Sequence, residues 1–326
     1  MPTITEMAHR YYDTVKHARS ANTARTYAHG LDSFLIMLKD NGMDPEITSI
    51  TDLSEDHVAL FITSLKQLSP ASERLYLTAL TGFYEFLAAD NSQNINLAKI
   101  RLLIRQRARR PGIRLPQFPK YAIEDVLVKA EELHKKPSQD VQEQYRNYRD
   151  RAFLLTLADT GLRIHEACSL RRGDIDWSTR QAVVIGKGDY QSVIRFSKRS
   201  IQALKAYLTI RSQMDGATGK AMSSLPVFAR HDKGAGNKIK PLSTTSGRAI
   251  VNERVKDFLG SEAVGTITPH SFRHYFVTRI LNETGNLKLA QTFARHKNIT
   301  VTQRYAHLVD NELDQEYQDI FDQNEL

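Results

Sequence analysis

Four short stretches of the sequence hold side chains able to do chemistry on an anion. They are Thr160-Gly161-Leu162-Arg163-Ile164-His165-Glu166, Gly186-Lys187-Gly188, Pro269-His270-Ser271-Phe272-Arg273-His274, and Ala294-Arg295-His296 leading to Arg304-Tyr305-Ala306-His307. Arg163 and Arg273 offer planar forks that grip a phosphate bidentately. His270 and His296 can hydrogen-bond its oxygens or move protons. Lys187, between two glycines, can protonate a departing oxygen. Tyr305 supplies a hydroxyl nucleophile, weak at its free pKa of about 10 and activated where positive charge lowers that value. His270 and Arg273 stand at i and i+3 of one helical pattern and so share a face. Each stretch alone has an ordinary structural explanation. Together they form an inventory for work on a phosphodiester.

Such groups need a scaffold, and the hydrophobic pattern supplies two. The first ~100 residues read as a compact helical bundle. Tyr27, Leu31, Phe34 and Leu38 form one helical stripe, and Tyr76, Leu80, Phe83 and Leu87 another, the latter after Ser69 as N-cap and Pro70 at the first helical position. Between them, Ser54 caps a helix with Glu55 and Asp56 in its first turn and Val58, Phe61, Ile62 and Leu65 on its buried face. From ~121 a second unit begins. Its helical pattern over 147–159 stops at Gly161. Ala182–Ile185 and Val193–Phe196 flank Gly186-Lys187-Gly188-Asp189 as strand, turn, strand. Helices follow at about 199–214, 244–259, 270–282 and 286–295. Residues 215–247 read as a loop around one short strand at Leu225–Phe228. The fold class is therefore mainly α with a small antiparallel β-sheet. The domains are a helical unit over 1–105, a basic linker over 106–120, and a unit over 121–326 that holds the chemistry.

Charge points to the partner. The chain has 326 residues and a net charge of +8, but the segment after Tyr305 carries seven acids and no Lys or Arg. Residues 1–305 thus carry a net of +15. Such an excess favours a polyanion, because each neutralised phosphate releases condensed counterions. The stretch 101–120 holds Arg101, Arg105, Arg107, Arg109, Arg110, Arg114 and Lys120, no acid, and prolines at 111, 116 and 119. The prolines forbid a continuous helix across 111–119 and favour an extended connection, either a solvated linker or, as seven positive charges with no acid favour, a basic strap along a phosphate backbone. Cys168 is the single cysteine, which excludes an internal disulfide and cysteine-rich metal sites and fits a reducing compartment. The start lacks the apolar stretch of a secretory signal, and no run approaches the ~18 apolar residues of a membrane span. The expectation is a soluble, cytoplasmic protein.

The ordered set Arg163, Lys187, His270-x-x-Arg273, His296, Tyr305 resembles the signature of the tyrosine recombinases, or phage integrase family, and within it the Xer-type enzymes. The gaps between these residues are similar to those of Xer-type members. The resemblance spans nearly the whole chain: the Asn22-Thr23 start with Tyr27 and Leu31, and the Ser69-Pro70 helix, look like the family's N-terminal core-binding, SAM-like domain. Three departures stand out. Arg295 occupies a position where the family usually has Gly, His165 one where a small residue is common, and residues 211–247 exceed the compact form. That loop is a candidate added contact to DNA or to a partner.

The resemblance implies site-specific recombination by two transesterifications at DNA phosphodiesters. Tyr305 would form a 3′-phosphotyrosyl link and free a 5′-hydroxyl. Arg163, Arg273 and His296 would meet charge on the nonbridging oxygens. Lys187 would be the general acid, and His270 the base or proton partner of Tyr305. Glu166 would orient Arg163. No metal, ATP or other cofactor is required. Arg25, Arg74, Arg105, Arg107, Arg109, Arg110 and Arg114 are the candidate DNA contacts, in a clamp whose two domains the strap joins. The acidic tail, with Leu313, Tyr317 and Phe321 spaced four apart, would dock on a neighbouring protomer in a tetramer on DNA, with a second recombinase or an accessory protein as a further partner. Two other readings share some of this chemistry or fold: a type IB-like topoisomerase and a non-catalytic DNA-binding protein.

Overall fold

The computed structural model describes residues 1–90, 95–110, 119–186, 191–236, 238–296 and 299–303. It divides into two compact units, Met1–Arg114 and Leu115–Leu326. The first is all helical: α1 (Ile4–Ala18), α2 (Ala21–Asp40), α3 (Asp56–Ser64), α4 (Pro70–Ala89) and α5 (Leu97–Arg107). Local chemistry sets several of their starts. The Thr3 hydroxyl accepts from Glu6 N–H while the Glu6 carboxylate accepts from Thr3 N–H, a reciprocal cap. Ser69 caps α4 directly before Pro70, as its sequence predicts. The expected Ser54 cap takes another form. α3 begins at Asp56, and Ser54 instead bonds through its backbone N–H and its hydroxyl to the His57 ring. The apolar stripes meet inside: Leu31, Phe34 and Leu38 of α2 pack with Phe61 of α3 and Leu80, Phe83, Tyr84 and Leu87 of α4. The Phe34 and Phe61 rings meet edge-on with centroids 5.3 Å apart.

The extended connection expected over 111–119 lies, Pro119 aside, outside the described residues. Residues up to Arg107 belong to α5, whose side chains Leu97, Ile100 and Ile104 pack on the bundle core. Arg109, expected as a phosphate contact, is engaged within the bundle. Its backbone N–H and Nε donate to the buried Glu73 carboxylate (2.9 and 2.6 Å), and its Nη2 donates to Leu68 O at 2.6 Å. Lys66 Nζ reaches the same carboxylate at 3.0 Å. Burial pushes the Glu73 carboxyl up, but the hydrogen bonds from Arg109 and Lys66 outweigh it and hold it below the usual range. Arg109 is therefore a clamp that ends the bundle. Arg105, Arg107 and Arg110 are exposed, while Arg114 lies outside the described residues.

The second unit is built around α7 (Val141–Thr160), with α6 (Lys120–Glu132) before it. Residues 152–158 of α7 are buried without a break and, Thr156 aside, are apolar, so this half of the helix sits in the core. Each large side chain so buried contributes about 1.5–3 kcal/mol. After α8 (Ile164–Ser169) come three antiparallel strands in the order β1 (Ile175–Asp176), β2 (Gln181–Ile185), β3 (Gln191–Arg195). The β2–β3 register pairs Val183 with Val193, leaving Ala182, Val184 and Ile194 facing the core. The two paired strands are those the sequence predicts, the second running Gln191–Arg195 rather than Val193–Phe196, and the turn expected around Lys187 lies outside the described residues; β1 is too short to carry an alternating signal. Then follow α9 (Lys198–Ile210), α10 (Ser212–Gly216), α11 (Thr244–Leu259), α12 (Pro269–Thr284), α13 (Leu287–Ala294) and α14 (Ile299–Gln303).

Leu225–Phe228 is not a ladder strand. It pairs through isolated bridges, Arg171–Pro226 within it and Ala229–Pro241 just after it, with Leu225 O accepting from Arg172 N–H and Phe228 O from Leu242 N–H. Arg211, fully buried, donates to Val227 O (2.9 Å) and Pro226 O (2.8 Å) and pairs with Asp215 (2.9 Å). The start of the long 211–247 segment is thus pinned into the domain by one side chain.

Candidate active site

Gly161 ends α7 in the left-handed region, at φ 59° and ψ 25°. A Cβ there would come 2.4 Å from the Phe276 ring of α12, so both the backbone and the space demand glycine. The turn sends the chain through Leu162, fully buried, to Arg163 at the start of α8. The Arg163 backbone N–H donates to Glu166 Oε2 at 2.8 Å and its Nη1 to Glu166 Oε1 at 3.0 Å. The Glu166 carboxylate is 1% exposed and the Arg163 side chain 39%, so a buried anion aims a half-open cation.

Arg273, one turn into α12, is buried and donates from Nη1 to Gly161 O and from Nη2 to Ala294 O. One side chain thereby ties the α7–α8 turn to the end of α13. Pro269 starts α12, and Thr268 N–H donates to Ser271 Oγ at 3.0 Å. This places His270 in the first turn, exposed, with its ring 5.1 Å from that of His274. Partial desolvation, then the charges of Arg273 and Arg163, lower the His270 pKa. His274 is held at about 4 by burial and by the neighbouring His270 and Arg273.

α13 ends at Ala294, and Arg295 follows in the left-handed conformation (φ 57°, ψ 41°). That turn delivers His296, whose Nδ1 lies 2.8 Å from Thr302 Oγ1 of α14 and whose carbonyl accepts from Gln291 Nε2 at 3.1 Å. Burial first, then Arg273 and Arg163, depress the His296 pKa to about 3, so the ring is neutral at neutral pH. A neutral ring can donate one hydrogen bond to an anion and adds no charge.

Arg163, His270, Arg273 and His296 are thus gathered from three separated segments, with Glu166 beneath them. Lys187, Tyr305 and the acidic tail lie outside the described residues. The spacing did not single out Gln291 and Thr302, which orient His296; nothing in their residue types marks them. Arg295 was visible only as a departure from glycine. Its Nη2 donates to Glu166 Oε2 (3.1 Å) and to Gly161 O (3.3 Å). Three guanidinium groups and one carboxylate leave the cluster net positive, as binding a phosphodiester requires. Burial pushes the Glu166 carboxyl up, but Arg295 and Arg163 outweigh it and keep it anionic. Cys168, buried beneath this layer, has its thiol pushed up to about 11 by desolvation and is no nucleophile at neutral pH. Among the described residues no group of three or more His, Cys, Asp or Glu could hold a metal ion, and no helix is long and apolar enough to cross a membrane.

The model of the phage integrase family matches residues 129–312, and that of the phage integrase N-terminal SAM-like domain matches residues 8–91. The chain belongs to the phage integrase family, the tyrosine recombinases. Within it the chain is of Xer type. It is 26% identical over 312 residues to the tyrosine recombinase XerC of Pediococcus pentosaceus, covering 96% of both chains. It is 28% identical over 317 residues to the tyrosine recombinase XerD of Mycobacterium tuberculosis, covering 94% of both. Its fold is similar to that of the XerH site-specific recombinase bound to a palindromic difH substrate, with 20% identity, a TM-score of 0.67, and coverage of 90% of this chain and 79% of that one. The Tn1549 transposon integrase in complex with transposon right end DNA is similar too, with 19% identity, a TM-score of 0.64, and coverage of 97% and 99%.

Proposed function

We propose that this chain is a site-specific recombinase that cuts and rejoins DNA strands through a 3′-phosphotyrosyl intermediate at Tyr305. The observation that carries the reading is that Arg273 bonds to the Gly161 carbonyl two residues before Arg163, and that both arginines lie close enough to His270 and His296 for their charges to act on the two rings. Tyr305 attacks phosphorus, its phenolic proton passes toward His270, and the P–O bond to the 5′-oxygen breaks. Lys187 gives that oxygen its proton. Attack by a 5′-hydroxyl from a second duplex reverses these events and reseals the strand. The bond energy is held in the phosphotyrosine, so no ATP is consumed. Arg163, Arg273 and His296 donate hydrogen bonds to the nonbridging oxygens as their charge grows. The domains act as a core-binding unit over 1–105, a linker over 106–120 and a catalytic unit over 121–326. Arg25, Arg74, Arg105, Arg107 and Arg110, all exposed, and Arg114 in the strap make the phosphate contacts.

The tail completes a tetramer by docking in trans. A cleft of about 560 Å³ on the catalytic unit offers Phe276, Ile280, Leu289 and Phe293 beside three cations, Lys198, Arg199 and Arg279, against two acids, Asp159 and Glu283. This mixture is complementary to a segment carrying Leu313, Tyr317 and Phe321 among acids. A chain truncated after Tyr305 should still cleave yet no longer assemble on DNA; full assembly without the tail would refute docking.

The test of the chemistry is a nicked duplex carrying the native recombination site, mixed with wild type and with Tyr305→Phe in the absence of metal and ATP. Wild type should trap as a covalent adduct and the variant should not. Specific binding without an adduct from either protein would overturn the catalytic reading in favour of a DNA-binding one.

A further inference from the structure

Arg295 sits where two features of the structure work against it. A side chain in the left-handed region is strained, and glycine would relieve that strain. Its guanidinium is buried, with the side chain 9% exposed, yet Nε and Nη1 have no hydrogen-bond partner among the described residues. Arg211, buried in the same unit, shows what a purely structural arginine looks like: its Nε, Nη1 and Nη2 all donate to fixed oxygens. Arg295 uses Nη2 alone, and that one nitrogen touches the two oxygens on which the phosphate-binding arginines depend. Glu166 Oε2 also accepts from the Arg163 backbone, while Oε1 of the same carboxylate accepts from its guanidinium. Gly161 O also accepts from Arg273.

We infer that Arg295 is a positioning residue for the phosphate-binding arginines, holding Glu166 ionised and oriented for Arg163 and bracing the Gly161 carbonyl for Arg273. The inference rests on the recombinase reading and deepens it. Arg295 takes up one side of the carboxylate, so the Arg163 fork is steered toward the other and keeps its remaining donors for the substrate. Its charge adds to the field at the phosphate without contacting it. The strain and the unfilled donors are local costs carried at a functional site, a pattern expected where stability is given up for geometry.

Arg295→Gly separates this role from a structural one, because it removes the strain and the unfilled donors together and leaves Arg163 to neutralise Glu166. With the nicked duplex, single-turnover cleavage should fall about tenfold or more while the DNA dissociation constant at fixed salt changes less than about threefold. The unfolding temperature should stay within about 3 °C of wild type or rise. Arg295→Lys, which keeps the charge and one donor, should restore part of the lost rate. Glu166→Gln should cost less in the Arg295→Gly background than in wild type, since the part of its effect that runs through the Arg295 contact is already lost while its own bonds to Arg163 remain. Wild-type cleavage by Arg295→Gly would overturn the inference and leave the recombinase reading intact. A lowered unfolding temperature with rate loss in proportion, shared by Arg295→Lys, would make Arg295 structural only and also overturn it. Absence of any adduct from wild type would overturn the catalytic reading and this inference with it.

Discussion

Replacing Gly161 by alanine tests whether the α7–α8 turn is the mechanical centre of the site. Two costs follow from the geometry. Holding a Cβ residue at φ 59° costs about 1–2 kcal/mol, and a methyl 2.4 Å from the Phe276 ring forces a shift costing about 1–3 kcal/mol. A loss of about 2–5 kcal/mol corresponds to roughly 6–15 °C in the unfolding transition of a unit this size. The same shift moves the carbonyl that accepts from Arg273 and Arg295, so cleavage of the nicked duplex should fall more steeply than DNA binding. A thermodynamic cycle with Phe276→Ala separates the costs. With the ring removed, Gly161→Ala should cost only the backbone share of about 1–2 kcal/mol, a coupling of about 1–3 kcal/mol. Thermal unfolding of the four proteins measures this. Equal cost of Gly161→Ala in both backgrounds would refute the steric argument, and unchanged cleavage would refute the claim that the carbonyl's position matters.

Acid should destabilise the catalytic unit well above the usual carboxylate range. His231 and His296 are held at about 3 and His274 at about 4, all chiefly by desolvation, so each is neutral when folded and protonates near 6.5 when unfolded. A depressed folded value means the stability is complete above about 6.5 and is lost as pH falls toward the folded values; at pH 5 the loss is about 2 kcal/mol for fully buried His231 and about 1 kcal/mol for each of the half-buried pair. Unfolding temperatures measured between pH 7.5 and 4.5 should fall, and a flat profile would refute neutral burial. In the other unit, Arg109→Ala leaves Glu73 buried with Lys66 alone and should cost about 2–3 kcal/mol, read by denaturant unfolding. It should leave the salt dependence of DNA binding unchanged, whereas Arg105→Ala, Arg107→Ala and Arg110→Ala should each reduce the slope by just under about one unit. A changed slope for Arg109→Ala would return it to the phosphate contacts.

Much of the architecture is legible in the sequence because its signals are local. The helical stripes of α2 and α4, the Ser69-Pro70 start and the Gly161 stop each depend on residues within a few positions of one another. The β2–β3 hairpin is legible for the same reason. β1 and the path of Leu225–Phe228 are not, since a two-residue strand has no period and the second segment is held by Arg211 from a distant helix. The inventory of Arg, Lys, His-x-x-Arg, His and Tyr could be read as phosphodiester chemistry from residue types and order alone. Composition likewise revealed a basic body and an acidic tail.

Which arginine does what was decided by tertiary structure. Arg109 and Arg105 look alike in a basic run, but only Arg109 finds a buried carboxylate, contributed by Glu73 from a different helix. Glu166 follows Arg163 closely enough for its first contact to be foreseen, yet its burial and its second partner, Arg295, come from a segment more than a hundred residues away. Sequence by itself determined which functional groups this protein has and the helices that carry them, because side-chain chemistry and helical periodicity are short-range properties. Only the fold determined which charges are paired and buried, because desolvation and ion pairing depend on which distant segments meet.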